Sequence, residues 1–164
     1  AERSYETFAQ KASYLFSKSE QNVWYNSAVR TLECTKSSLG VIAYTAMKYY
    51  GSAYYKEYID SRYDLASSFA TLVRNSERFE LAVEPESNIV CFRLSDNSLD
   101  IDAQNRLNER IREKIVGNGT FYIVKAVIGG KTFLRITIIN PVTSYTDLKR
   151  LLDEIIHVAE ELSE

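Results

Sequence analysis

Few side chains in this chain of 164 residues have the types and spacing that chemistry demands. A nucleophile or a metal would look first to cysteine and histidine. The chain has two cysteines, Cys34 and Cys91, with no C-x-x-C spacing, and a single histidine, His157. That inventory cannot complete a usual zinc set, and the thiols read as reduced and structural, as in a cytoplasmic protein. His157 follows Ile156 in a helical stretch and lacks the carboxylate or thiol company that a catalytic or metal role requires, so it reads as a partly exposed helix residue. Arg93 in CFRL reads as a strand surface charge and Lys36 in ECTK as a loop or helix-start residue. Gly129-Gly130 makes a turn rather than a phosphate loop, because no helix follows directly. Arg135 in FLRIT, taken by itself, reads as a solvent-facing strand arginine.

The elements that would position these groups are legible from periodicity. FYIVKAVI and KTFLRITII flank Gly129-Gly130, whose glycines can take the positive φ angles of a two-residue hairpin turn. That register sets Ile128 opposite Lys131 and Val124 opposite Arg135. Alternation then puts Leu134, Ile136 and Ile138 on one face and Phe133, Arg135 and Thr137 on the other, so Arg135 leaves the most apolar face. FELAV at 79–83 and NIVCFRL at 88–94 read as neighbouring strands around a turn that contains Pro85.

Helical spacing covers Leu39 to Tyr49, with Val41, Tyr44 and Met47 in a stripe, and Ser52 to Asn75, with Tyr58, Leu65, Phe69 and Leu72. Gly51 marks the joint. A further helix over 100–116 stacks Leu107, Ile111 and Ile115 and stops at GNG, 117–119. The last helix starts at Ser144, with Asp147 completing a capping box, and buries Leu148, Leu151, Leu152, Ile155, Ile156, Ala159 and Leu162. Residues 1–37 are polar and read as a short helix leading into a loop. The class is α+β: a small antiparallel sheet covered by helices on one face, with the other face looking for a partner.

Composition narrows the function. Hydrophobic residues make up 45% and charged residues 26%, which describes one ordinary globular domain with its own core. A net charge of −2, with 20 basic and 22 acidic side chains well mixed, offers no polycationic surface for nucleic acid or anionic lipid. No apolar run is long enough to span a bilayer, and AERSYETFAQ carries neither a signal segment nor an initiator methionine, so the chain is expected to begin inside a longer one. The tyrosine density suggests broad packing surfaces against something, with a tyrosine-rich core as the alternative.

Taken in order, ASYLF at 12–16, RTLECTK at 30–36, the helical stretch after Gly40, EPESNIVCFRL at 84–94 and GTFYIVKAVIGGKTFLRITIINPVTSYTDLKRLLDEI at 119–155 resemble the group II pyridoxal-phosphate-dependent amino-acid decarboxylases, the glutamate and L-2,4-diaminobutyrate branches above all. The likeness covers nearly the whole chain. It implies the C-terminal portion of a fold-type I enzyme: 1–37 a catalytic-loop-like segment and the end of the large domain, 38–76 connecting helices, and 77–164 the small C-terminal domain. It also implies an amino-acid substrate, a cytoplasmic homodimer, and pyridoxal 5'-phosphate held mainly by an upstream large domain.

In that family the cofactor condenses with the substrate amine and accepts electrons as carbon dioxide leaves, and a protein group returns a proton to the α-carbon. The resemblance gives this last role to Tyr14, in the YLF-type segment, with Tyr25 in WYNS as second candidate. It makes Arg135 the residue that binds the substrate α-carboxylate, where a guanidinium fork fixes orientation. The family's cofactor lysine follows a histidine, whereas His157 is followed by Val158, so no lysine here takes that role and the fragment alone is expected to be inactive. Two rivals stand beside this reading. One is a stand-alone α+β binding or assembly module recruiting a protein partner through its tyrosine-rich helices. The other is a truncated pseudo-enzyme, against which the presence of Tyr14 and Arg135 counts.

Overall fold

The computed structural model describes residues 37–162, so Tyr14, Tyr25, Cys34 and Lys36 lie outside the described residues. The chain divides into two compact units, Ala1–Gly51 and Ser52–Glu164. Helix α1 (Leu39–Arg74) runs through the boundary, and Gly51 interrupts it at φ 75°, ψ 166°, a backbone conformation that glycine adopts without a Cβ penalty. The expected joint is therefore real.

In the first unit, the stripe of Val41, Tyr44 and Met47 is exposed rather than buried (65%, 62% and 59%). Exposure is not confined to that stripe, for Leu39, Ile42, Tyr49 and Tyr50 are exposed as well.

The second unit holds the rest of α1, strands β1 (Phe79–Leu81) and β2 (Ile89–Leu94), helix α2 (Ile101–Asn118), strands β3 (Val124–Ile128) and β4 (Lys131–Thr137), and helix α3 (Tyr145–Glu161). The four strands form one antiparallel sheet in the order β1-β2-β4-β3. The hairpin register is the expected one, with Ile128 opposite Lys131 and Val124 opposite Arg135. Both turn glycines have positive φ, 58° and 76°, which lets a two-residue turn match the twist of its strands. Asn105 on α2 fastens the turn from the side: its amide donates to the Gly130 carbonyl at 2.9 Å and its carbonyl accepts from the Thr132 N–H at 2.7 Å.

One sheet face carries the core. Val90, Phe92, Leu94, Leu134, Ile136 and Ile138 are buried there with Phe69 and Val73 of α1, Ile111 and Ile115 of α2, and Leu151 and Ile155 of α3. Phe69 meets Phe92 edge to face at 5.1 Å. Asn108, fully buried on α2, is satisfied by the strand it faces. It accepts from the Leu94 N–H at 2.9 Å and donates to the carbonyls of Leu94 and Gln104, both at 3.0 Å. Helix α3 begins at the expected Ser144–Asp147 capping box and buries Val158 in addition to the expected residues, with Ile156 and Leu162 only partly covered. No described tyrosine belongs to the core, which removes the tyrosine-rich core as an alternative among the described residues.

Candidate functional site

Arg135 sits near the middle of β4, opposite Cys91 of β2 on one side and Val124 of β3 on the other. Its neighbours Leu134 and Ile136 point into the core, so alternation sends Arg135 to the opposite face of the sheet, where it is exposed. Among the described residues it makes no hydrogen bond or ion pair. A planar donor fork, always charged and facing outward from a rigid strand, is suited to receiving a carboxylate.

Arg93 departs from expectation. It is not a surface charge, for only 3% of the residue is exposed. Strand register sets Glu80 of β1 directly opposite it. Arg93 Nε and Nη2 donate to Glu80 Oε2 at 2.7 and 2.5 Å, and Lys131 Nζ reaches Glu80 Oε1 at 2.8 Å. The guanidinium lies over the Phe133 ring, 5.4 Å from its centroid. Arg93 Nη1 is buried without a partner. The sheet face opposite the core therefore carries Arg93 and Lys131 on one carboxylate, with Arg135 two strands across from it. Burial alone would raise the Glu80 carboxyl, but the hydrogen bonds from Lys131 and Arg93 and the charges of both outweigh it and hold the carboxyl below its ordinary value. Sequence reasoning missed this cluster. Finding it required the pairing of FEL with CFR, which places Glu80 across from Arg93.

Cys91 is a free, partly buried thiol. Burial pushes it up, and the charge of Arg135 across the strand pair offsets this only in part, so the thiol stays protonated near neutral pH and is a poor nucleophile. His157 is exposed and rests 3.3 Å from Glu161, a helix-surface pair far from either arginine in sequence. Among the described residues no group of three or more histidine, cysteine, aspartate or glutamate side chains could hold a metal ion, and no helix is long and apolar enough to cross a membrane.

A phosphorylated pyridine aldehyde needs a lysine amine shielded from water and cations or helix N-termini for its phosphate. The described residues do not fit it. Lys56, Lys114, Lys125 and Lys131 are each engaged with a carboxylate at the surface. A groove of about 200 Å³ between β4 and α3, lined by Ile136, Ile138, Leu148 and Leu151, presents no cation. A second, of about 240 Å³, contains Arg62, but that guanidinium is committed to the carbonyls of Asn140 at 2.8 Å and Thr143 at 3.2 Å. Together with Tyr58, whose hydroxyl donates to the Ile139 carbonyl, Arg62 pins the segment that leaves β4.

A family model described as the pyridoxal-dependent decarboxylase conserved domain matches residues 2–95. The chain is 31% identical over 134 residues to phenylacetaldehyde synthase of Petunia hybrida, covering 77% of this chain and 26% of that protein. It is 30% identical over 109 residues to the aromatic-L-amino-acid decarboxylase of Manduca sexta, covering 66% of this chain and 20% of the relative. A solved structure, the glutamate decarboxylase domain of diaminobutyrate-pyruvate transaminase and L-2,4-diaminobutyrate decarboxylase from Vibrio parahaemolyticus, superposes with a TM-score of 0.67 at 27% identity, over 73% of this chain and 25% of its own. The chain thus spans about a quarter of the length of the proteins it matches.

Proposed function

The chain belongs to the pyridoxal-dependent decarboxylase family, and from that premise we propose that it is the C-terminal part of an enzyme that releases carbon dioxide from an L-amino acid, with Arg135 receiving the substrate α-carboxylate. The observation that carries this reading is Arg135 itself: an exposed guanidinium, without a hydrogen-bond or ion-pair partner among the described residues, on the sheet face opposite the core, in a chain whose family acts on carboxylates. A fork of this kind fixes the carboxylate and so the direction of the bond to be broken. Tyr14, with Tyr25 as second candidate, returns the proton to the α-carbon in this reading. The cofactor is held by residues other than those described, which agrees with described lysines that are all spent or solvent-facing, and the chain alone is inactive.

Segment 1–37 then serves the catalytic loop, 38–76 connects, and 77–164 is the small domain. The large apolar residues exposed on α1, such as Val41, Ile42 and Tyr49, support a role as the surface on which the remainder of the polypeptide packs. We favour diaminobutyrate or glutamate as substrate, on the strength of the short motifs and the Vibrio parahaemolyticus structure. Likeness to an aromatic-amino-acid enzyme supports the competing side-chain class. The parent is read as a cytoplasmic homodimer.

The test is reconstitution. The chain is co-expressed with the upstream half of its parent gene, supplied with pyridoxal phosphate, and assayed for cofactor absorbance and carbon dioxide release. Colour and gas only with the upstream half support the reading. An upstream half that encodes no cofactor-binding domain, or a reconstituted protein that never binds the cofactor, sinks it and favours the binding-module alternative.

A further inference from the structure

The sheet face opposite the core distributes its charges unevenly. Both oxygens of Glu80 are occupied, Oε2 by Arg93 and Oε1 by Lys131, while Arg135 on the same face has no partner among the described residues. Register places Glu80 opposite Arg93, and Arg135 opposite Cys91. Glu80 is therefore two strands across and two residues along from Arg135. At strand spacings of about 4.8 Å and a rise of about 3.4 Å per residue, their Cα atoms are roughly 12 Å apart. Extended glutamate and arginine side chains can meet across that span, and a carboxylate pointing elsewhere on the face would still act on the guanidinium within a Debye length.

Arg93 is held where it can prevent this. Its aromatic neighbour Phe133 lies beneath the guanidinium, and Nε and Nη2 both grip one oxygen of Glu80. Its third nitrogen, Nη1, remains buried and unbonded. For a group serving stability alone that is a costly arrangement, since a buried donor without an acceptor forfeits its hydration.

We propose that Arg93 is a positioning residue for carboxylate recognition: by capturing Glu80 it keeps Arg135 unpaired and available to the substrate. This rests on the reading that Arg135 receives the α-carboxylate. Arginine is charged at every physiological pH, so the capture does not depend on conditions. Lys131 assists from the other oxygen, but its side chain is 36% exposed and makes a single contact, so without Arg93 one oxygen of Glu80 is free to turn toward Arg135.

The experiment measures KM and kcat of the full-length parent enzyme for its amino acid, and the Ki of propionate as a bare carboxylate competitor, with melting temperature as the control for folding. Arg93→Met is expected to raise KM and Ki together, by on the order of three- to tenfold for an uncompensated carboxylate several ångströms from the binding charge, with kcat changing less. Adding Glu80→Gln to Arg93→Met should return both constants to within about twofold of the parent, because the competing charge is gone. Arg93→Lys, which keeps the charge, should stay near the parent. A double variant as impaired as Arg93→Met, or an Arg93→Met enzyme with unchanged KM, overturns the inference while an impaired Arg135→Met enzyme leaves the reading of Arg135 standing. Unchanged KM and Ki in Arg135→Met overturn that reading, and the inference falls with it.

Discussion

Replacing Glu80 by glutamine should destabilise the fold far more than a change at a one-third exposed position normally does. The side chain of Arg93 is 4% exposed against 33% for Glu80, and the bridge to Glu80 supplies the only hydrogen bonds that its guanidinium makes among the described residues. Losing the carboxylate leaves a buried cation with a weak amide acceptor. Breaking a buried pair from one side costs about 3–5 kcal/mol, and partial solvent access at Glu80 brings the expectation to about 3 kcal/mol. For a domain of this size that corresponds to a fall in Tm on the order of 10 °C. Urea denaturation followed by circular dichroism reads it as a lower midpoint at unchanged slope.

The pH dependence carries a definite sign. The folded Glu80 carboxyl lies below its unfolded value, because the bonds and charges of Lys131 and Arg93 outweigh the effect of burial. Its contribution is therefore fully present above the unfolded pKa of about 4.3 and is lost as pH falls below that through the folded value. Subtracting the acid limb of the Glu80→Gln variant from that of the parent should isolate this loss. Arg93→Met in the Glu80→Gln background should recover part of the stability, since an apolar side chain replaces an unpaired charge. A Glu80→Gln change within about 0.5 kcal/mol of the parent would refute the reasoning, for it would place Arg93 in contact with water.

Three further outcomes follow from the same packing. Asn108→Leu, which strips the buried bonds to Leu94 and Gln104, should cost about 2–3 kcal/mol in the same denaturation assay. Gly130→Ala, at φ 76°, should cost about 1–2 kcal/mol, measured as a lower urea midpoint with the far-ultraviolet spectrum retained. Arg62→Met should leave the sheet intact but speed amide hydrogen exchange in 139–143, where its bonds to the Asn140 and Thr143 carbonyls pin the chain beyond β4.

The hairpin and its arginine were legible because local rules decided them. Two adjacent glycines set the turn, the turn set the register, and alternation placed Arg135 on the face away from Leu134 and Ile136. The capping box at Ser144 was equally local. Arg93 was misread because its burial depends on a partner across β1 and β2, whose connection is too long to fix register from sequence. Periodicity found the stripe at Val41, Tyr44 and Met47, but exposure there depends on what lies against it, which spacing does not encode. Asn108 interrupts an apolar face as a polar residue, and only the strand end it caps explains its complete burial.

The most direct measurement is the kinetic effect of Arg135→Met in the full-length enzyme. Loss of a charge-assisted carboxylate contact worth about 1.5–3 kcal/mol predicts a fall in kcat/KM of roughly ten- to more than a hundredfold, with cofactor absorbance unchanged. An Arg135→Met enzyme that decarboxylates at the parent's kcat/KM would contradict the account, because the carboxylate would then be bound elsewhere.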